Sequence, residues 1–338
     1  MLKLFEKYKD KNWNKDELSK NPNIPIEYIL NHSEINWNYD NVLMHPHCNQ
    51  EYFDILVNKY NANPKKYIYN KNLDFNIILQ NNNVKWDYNY LSQHPKITLK
   101  MIEDYNELPW NFLWLSCNPN LNIDFIKNND TSKFDFDSLT MFMDINDILN
   151  NSQLPWVYDL LSYNSNLTFN ILKSFKNIVF DYESILENMN MSEIFKMIKN
   201  PFYDVHYNQY WICRNNSLVI NDIYKLGGIN CTWNFYDLSH HINISMDFVN
   251  QYNDLEWNFN QLSKNPNITE SFIKENLDNI NFNELSTNYL DYIHVLDYCE
   301  NKFKTSIKNS KIEEELIIKT WHPSRFQDWC LSNNEFED

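Results

Sequence analysis

An aromatic residue followed by Asn or Asp returns about every 24 residues along this chain of 338. A period of that size decides the architecture before any single residue does. Units open at Trp13, Trp37, Ala62, Trp86, Trp110, Phe134, Trp156, Phe180, Tyr207, Trp233 and Trp257, with a degenerate twelfth near Ile280. The spacing is 24 or 25 at first, 22 after Phe134, 27 and 26 after Phe180 and Tyr207, then 24 again. The consensus is W-N-[FY]-x-x-L-S-x-N-P-x-I-[TSND]-x-x-[FYIM]-[IF].

Its physical content is a pair of helix starts. Asn14, Asn38, Asn63, Asp87, Asn111, Asp135, Asp181, Asn208, Asn234 and Asn258 follow the opening residue, and such side chains accept bonds from the free N–H groups of a first helical turn. The aromatic before the cap and the Leu after it form the two halves of a hydrophobic staple, as in Trp257 and Leu262. Asn49, Asp74, Thr98, Asn122, Asn146, Thr168, Ser192, Ser245 and Thr269 repeat that grammar for a second helix. Between the two stand Pro22, Pro46, Pro95, Pro119 and Pro266, each after Asn or His. Pro cannot continue a helix, and Asn tolerates the left-handed backbone that ends one. Each unit therefore reads as a helix–turn–helix hairpin with structural signature residues Trp13, Trp37, Trp86, Trp110, Trp156, Trp233 and Trp257.

A hairpin of this size cannot bury enough apolar surface alone, so stacking must supply the rest. The expectation is all-α: an α-solenoid of about 11–12 short repeats over residues 13–288, irregular at about 134–232. Residues 1–12 are expected as a polar N-terminal cap, and 289–338 as a C-terminal helical cap with an acidic tail.

Composition narrows function by exclusion. A net charge of −16 opposes neutralisation of a phosphate backbone and favours basic partners. No apolar run is long enough for a membrane helix, and the start lacks the apolar core of a signal peptide. Six scattered Cys without a C-x-x-C pair suggest reduced thiols in an intracellular protein, with neither zinc nor disulfides.

The most metal-like run, His45 to Cys48, falls in register with a turn Asn and a core Ile, so it reads as turn and core. Ser19, Ser92, Ser116, Ser162, Ser239 and Ser263 share one repeat position, where they bond back to the helix and do not make a nucleophile. No phosphate-cradling loop exists in a chain with two Gly; Gly227-Gly228 reads as an insertion turn. No catalytic residue, metal, cofactor or small-molecule substrate is expected. Trp114, Trp211 and Tyr90 occupy the fifth position, where other units carry Glu17, Asn41, Asp237 and Gln261; they are the candidate partner-binding residues.

The segments "WNKDELSKNPNIPIEYI", "WDYNYLSQHPKIT", "WNFLWLSCNPNLNIDFI" and "WNFNQLSKNPNITESFI" resemble a tandem-repeat family of giant DNA viruses, the mimivirus relatives. The resemblance covers about residues 13–290, and the closing "WHPSRFQDWC" is similar to a C-terminal signature of large-DNA-virus proteins. It implies an expanded family and supplies no catalytic residues. The resulting expectation is a non-enzymatic protein-binding scaffold or adaptor in host cytoplasm or viral factory. The alternatives are a structural virion component, or a protein-binding subunit of a viral RNA-handling or translation assembly.

Overall fold

The computed structural model describes residues 1–175, 177–199, 209–229 and 231–288, and every regular element among them is helical. The expected C-terminal cap, Tyr207 and Asn208 lie outside the described residues. Each unit is an opening helix of four to seven residues, such as Lys15–Ser19 or Phe259–Lys264, then a turn and a closing helix, such as Ile26–Asn31 or Glu270–Glu275. Pro64–Tyr69 and Tyr158–Tyr163 open their units as 3-10 turns.

The opening caps are in place: the side chains of Asn14, Asn38, Asp87, Asn111 and Asn258 accept from N–H groups of the turn they start. Asn49, Asp74, Thr98, Asn122, Thr168, Ser245 and Thr269 cap closing helices. Two assignments move. Asp144 and Asn190 are the caps where Asn146 and Ser192 were expected. In both units the Asn-Pro turn is shortened, so Met143 and Met189 run straight into the closing helix from the place that Ile97 or Ile268 fills elsewhere. The 22-residue spacing after Phe134 follows from that deletion. Gly227 and Gly228 have φ of +106° and +83°, and a Cβ on Gly227 would lie 2.7 Å from Cys231 Sγ, so the insertion there needs glycine.

Three side chains of the consensus tie the hairpins together. The Trp indole N–H reaches back five residues to the carbonyl that ends the preceding closing helix: Trp37 to His32 (2.9 Å), Trp110 to Tyr105 (2.8 Å), Trp257 to Tyr252 (2.7 Å). This satisfies an end carbonyl while the ring body is buried at Trp37 and Trp257 and half-buried at Trp110. The Ser hydroxyl donates within its helix and accepts from the next unit's cap. Ser92 Oγ donates to Tyr88 O (2.7 Å) and accepts from Asn111 N (2.9 Å).

The turn Asn does more than bend the chain. Asn118 Nδ2 donates to the carbonyls of Ser92, His94 and Ile97 in the preceding unit (2.8, 3.2 and 3.1 Å), while its Oδ1 accepts from Asn120 N (2.8 Å). Its backbone need not be left-handed: Asn265 has φ −61° and ψ 125°, extended as expected before Pro. Among the described residues the non-glycine residue with positive φ is Asn61, which ends Gln50–Tyr60. Buried Asn21, His45, Asn70, His94, Asn118, Asn164, Asn215, His241, Asn265 and Asn288 make a ladder of such bonds through ten of the twelve units. In the irregular middle Asn164 donates to Thr140 O (2.9 Å) and Asn215 to Met189 O (2.7 Å). The two units without a rung are joined to the units before them through Ser, by Asp135 N to Ser116 Oγ (2.8 Å) and Asp181 N to Ser162 Oγ (2.9 Å), so the described residues form a continuous array there.

The array has no free end among the described residues. Asn21 Nδ2 donates to Ser286 O and Asn288 O (3.0 and 2.8 Å), and Asn14 N donates to Ser286 Oγ (3.0 Å). Trp13 meets Phe282 edge-on at 5.0 Å, the contact Phe235 makes with Trp257 at 5.1 Å between neighbours in sequence. The α-solenoid of short repeats expected from the sequence is thus present, and its twelve units close into a ring.

Residues 1–12 are not a polar cap. Leu2–Lys7 follows Met1 at the cap position twelve residues before Trp13, as Leu99–Asp104 follows Thr98 before Trp110. Trp13 Nε1 donates to Tyr8 O (2.7 Å) at the usual separation of five. Met1, Leu4 and Phe5 are buried. The N-terminal segment is thus the closing helix of the unit whose opening helix is Phe282–Leu285. A ring made this way needs no polar capping repeats, which open arrays require.

Candidate protein-binding face

Successive opening helices pack directly on one another, whereas closing helices, apart from Phe169–Ser174 against Met191–Ile198, meet less closely, with a depression of about 440 Å³ between Leu99–Asp104 and Ile123–Lys127. In a closed ring the closer-packed layer is the inner one. With helices about 8–10 Å apart, twelve of them lie on a radius of about 15–19 Å. One side of each opening helix, including its Leu and Ser, packs into the core, so positions four, five and eight face the ring axis.

The three sequence candidates all lie on this face, in different settings. Trp114 is exposed (41 %), beside Leu113 (55 %) in the same turn. Tyr90, one unit earlier, is half-buried and sits edge-on to Tyr69 at 4.6 Å; burial, with Tyr69 beside it, raises its phenol pKa. Trp211 is also half-buried, four units along the ring from Trp114, against Tyr210 at 5.3 Å. The Arg214 guanidinium lies 5.3 Å over Trp211 and reaches Asp237 Oδ2 (2.8 Å) and Glu187 Oε1 (3.2 Å), so it clamps three consecutive units. Its pKa is raised, first by the hydrogen bond to Asp237. Asp237 and Gln261 are buried, so the fifth position is not uniformly exposed.

Reading only the fifth position missed much of the face. Tyr236 (54 % exposed) and Tyr210 stand at the fourth position, and Tyr69 and Tyr163 at the eighth. The fourth and eighth positions share a helix side, an i, i+4 signal present in the sequence. Exposed carboxylates stand among them, at Asp16, Asp137 and Asp159. The third unit reverses that charge: Lys65, Lys66 and Lys85, with Tyr69, line a depression of about 300 Å³.

The residues that resembled chemical sites are absorbed by the fold. His45 Nε2 lies 3.0 Å from Asn21 O and 3.2 Å from Ile24 O, while Nδ1 accepts from His47 N (3.1 Å). That pair of partners requires the neutral ring with its proton on Nε2. Burial lowers the His45 pKa to about 4, and likewise lowers those of His94 and His241. Burial pushes the Cys48 thiol up to about 12, opposite to the shift that makes a thiolate ligand or nucleophile. Among the described residues no group of three or more His, Cys, Asp or Glu is placed to hold a metal, and no helix is long and apolar enough to cross a membrane. Comparison with protein-family models, curated proteins and solved structures finds no match to this chain.

Proposed function

We propose that this ring is a non-catalytic scaffold that binds a basic protein segment on the axis-facing side of its opening helices. The observation that carries the reading is the band of exposed apolar side chains there, Leu113, Trp114, Tyr163, Tyr210 and Tyr236, interspersed with carboxylates. The repeat fold does not require these residues, since Asn89 and Asn260 serve at the same fourth position. Aromatic faces beside carboxylates suit Lys and Arg side chains, whose charge the rings attract and whose stems they cover. The net charge of −16 supports the same partner class and speed of encounter. Kinship to the giant-virus repeat family, and work in host cytoplasm or viral factory, belong to this proposal.

The test is affinity purification from infected cells with the wild-type chain and W114A, each with and without nuclease. The reading expects basic proteins retained after nuclease by the wild type and lost with W114A. Identical capture by both chains, or capture abolished by nuclease, overturns it.

A further inference from the structure

Eleven units are contiguous in sequence, but the twelfth is assembled from opposite ends of the described chain, Phe282–Leu285 and Leu2–Lys7. From this we infer that the seam is an interaction surface for a second copy of the same chain, which can supply residues 1–12 in trans. Among the described residues the seam is held by noncovalent contacts, which include Asn14 N to Ser286 Oγ, Asn21 Nδ2 to Asn288 O, Trp13 against Phe282, Tyr8 against Phe282 at 5.7 Å, and Lys7 Nζ to Glu270 Oε1 at 3.6 Å. Every one of these atoms is present, in the same register, on any other copy. The occupant is specified by the surface itself, because the place this arm fills is lined by Phe282, Trp13 and Trp37, which take Tyr8 and Phe5 of the arm. No other segment of the described chain is left without its partner half.

Closure in cis wins in dilute solution, since tethered ends see one another at an effective concentration of about a millimolar. Closure in trans joins the last opening helix of one copy to the first half-unit of the next. Two copies then exchange residues 1–12 between two complete rings, with Lys7 and Tyr8 making their seam contacts in trans while Trp13, Asn14 and Asn21 keep theirs in cis. Once formed, exchange back requires both seams to open, so the product persists on dilution. This inference rests on the closed ring and is independent of the proposed binding face.

The test uses the unmodified full chain. Equal amounts of unlabelled and ¹⁵N-labelled protein are unfolded, mixed, refolded at about 0.01 and about 1 mM, and separated by size. Each fraction is treated with a carbodiimide, which condenses the Lys7 amine and Glu270 carboxylate into an amide with loss of water, the carbodiimide leaving as its urea. Monomer should give only light–light and heavy–heavy Lys7–Glu270 peptides. Dimer from the concentrated sample should give mixed peptides as about half of the total. Monomer alone at both concentrations, or a dimer whose Lys7–Glu270 peptides are unmixed, overturns the proposal.

Discussion

Asn21 and Asn288 lie 267 positions apart, yet the amide of the first donates to the carbonyl of the second at 2.8 Å. The bond is the one Asn265 makes to His241 and Asn118 makes to His94 in the body of the array. It fixes the register of the closing interface as strictly as that of any interior one. A buried amide displaced along the neighbouring unit keeps the N–H two residues ahead but leaves its own N–H groups without their acceptor carbonyls.

The histidine rungs make stability depend on pH. The folded His45 pKa is about 4 against an ordinary 6.5, so between those values the unfolded chain binds the extra proton. Stability is therefore full above pH 6.5 and falls as pH drops towards 4, by about 3 kcal/mol from this residue. Asn serves the same position in other units, so H45N should retain stability at pH 7 and fall less steeply between pH 6.5 and 4. Urea unfolding midpoints across that range measure it; parallel slopes for the two chains would refute the assignment.

Serine at position seven acts as a relay between units. S92A leaves the half-buried Asn111 N–H without its acceptor and should cost about 1–3 kcal/mol. S92C should cost less, because Cys213 Sγ already accepts from Asn234 N at 3.3 Å in the same role. Denaturant melts of both variants check the order S92A below S92C below wild type.

Removing residues 1–12 should lower the melting temperature by exposing Phe282 and the groove beside it. A synthetic peptide of residues 1–12 should raise it again with increasing concentration, as any ligand of the folded state does. An unchanged melting temperature after truncation would show that the segment is dispensable.

Trp114 provides the converse control. Its ring is exposed, so W114A should change stability by no more than about 0.5 kcal/mol while weakening partner capture. A melting shift as large as that of S92A would place Trp114 in the framework instead.

The period, the hairpin and most caps were readable from sequence because they are local: a cap and the N–H it serves are two or three residues apart. The missed caps at Asp144 and Asn190 share one cause, a shortened turn that shifts the frame. Ring closure is not local, although its trace is present: "MLKLFEKYKDKNW" (1–13) follows "TLKMIEDYNELPW" (98–110) in its apolar spacing and its Tyr. The charged surface of that segment suggested a cap; its Leu4 and Phe5 are what the fold uses. The role of the turn Asn was hidden for another reason. The residue that suits a bend before Pro also has the donor and acceptor needed for a ladder, and only neighbouring carbonyls distinguish the two uses.

Closure of the ring is tested most directly by comparing N21D with N118D. Each keeps the oxygen that accepts from the residue two ahead and replaces the donor to the preceding unit with a carboxylate facing carbonyls. In a closed ring both sites are interior, and both variants should lose about 2–5 kcal/mol in equilibrium unfolding at pH 7. In an open array Asn21 would face solvent, and N21D would unfold like the wild type while N118D did not; that result would contradict the ring.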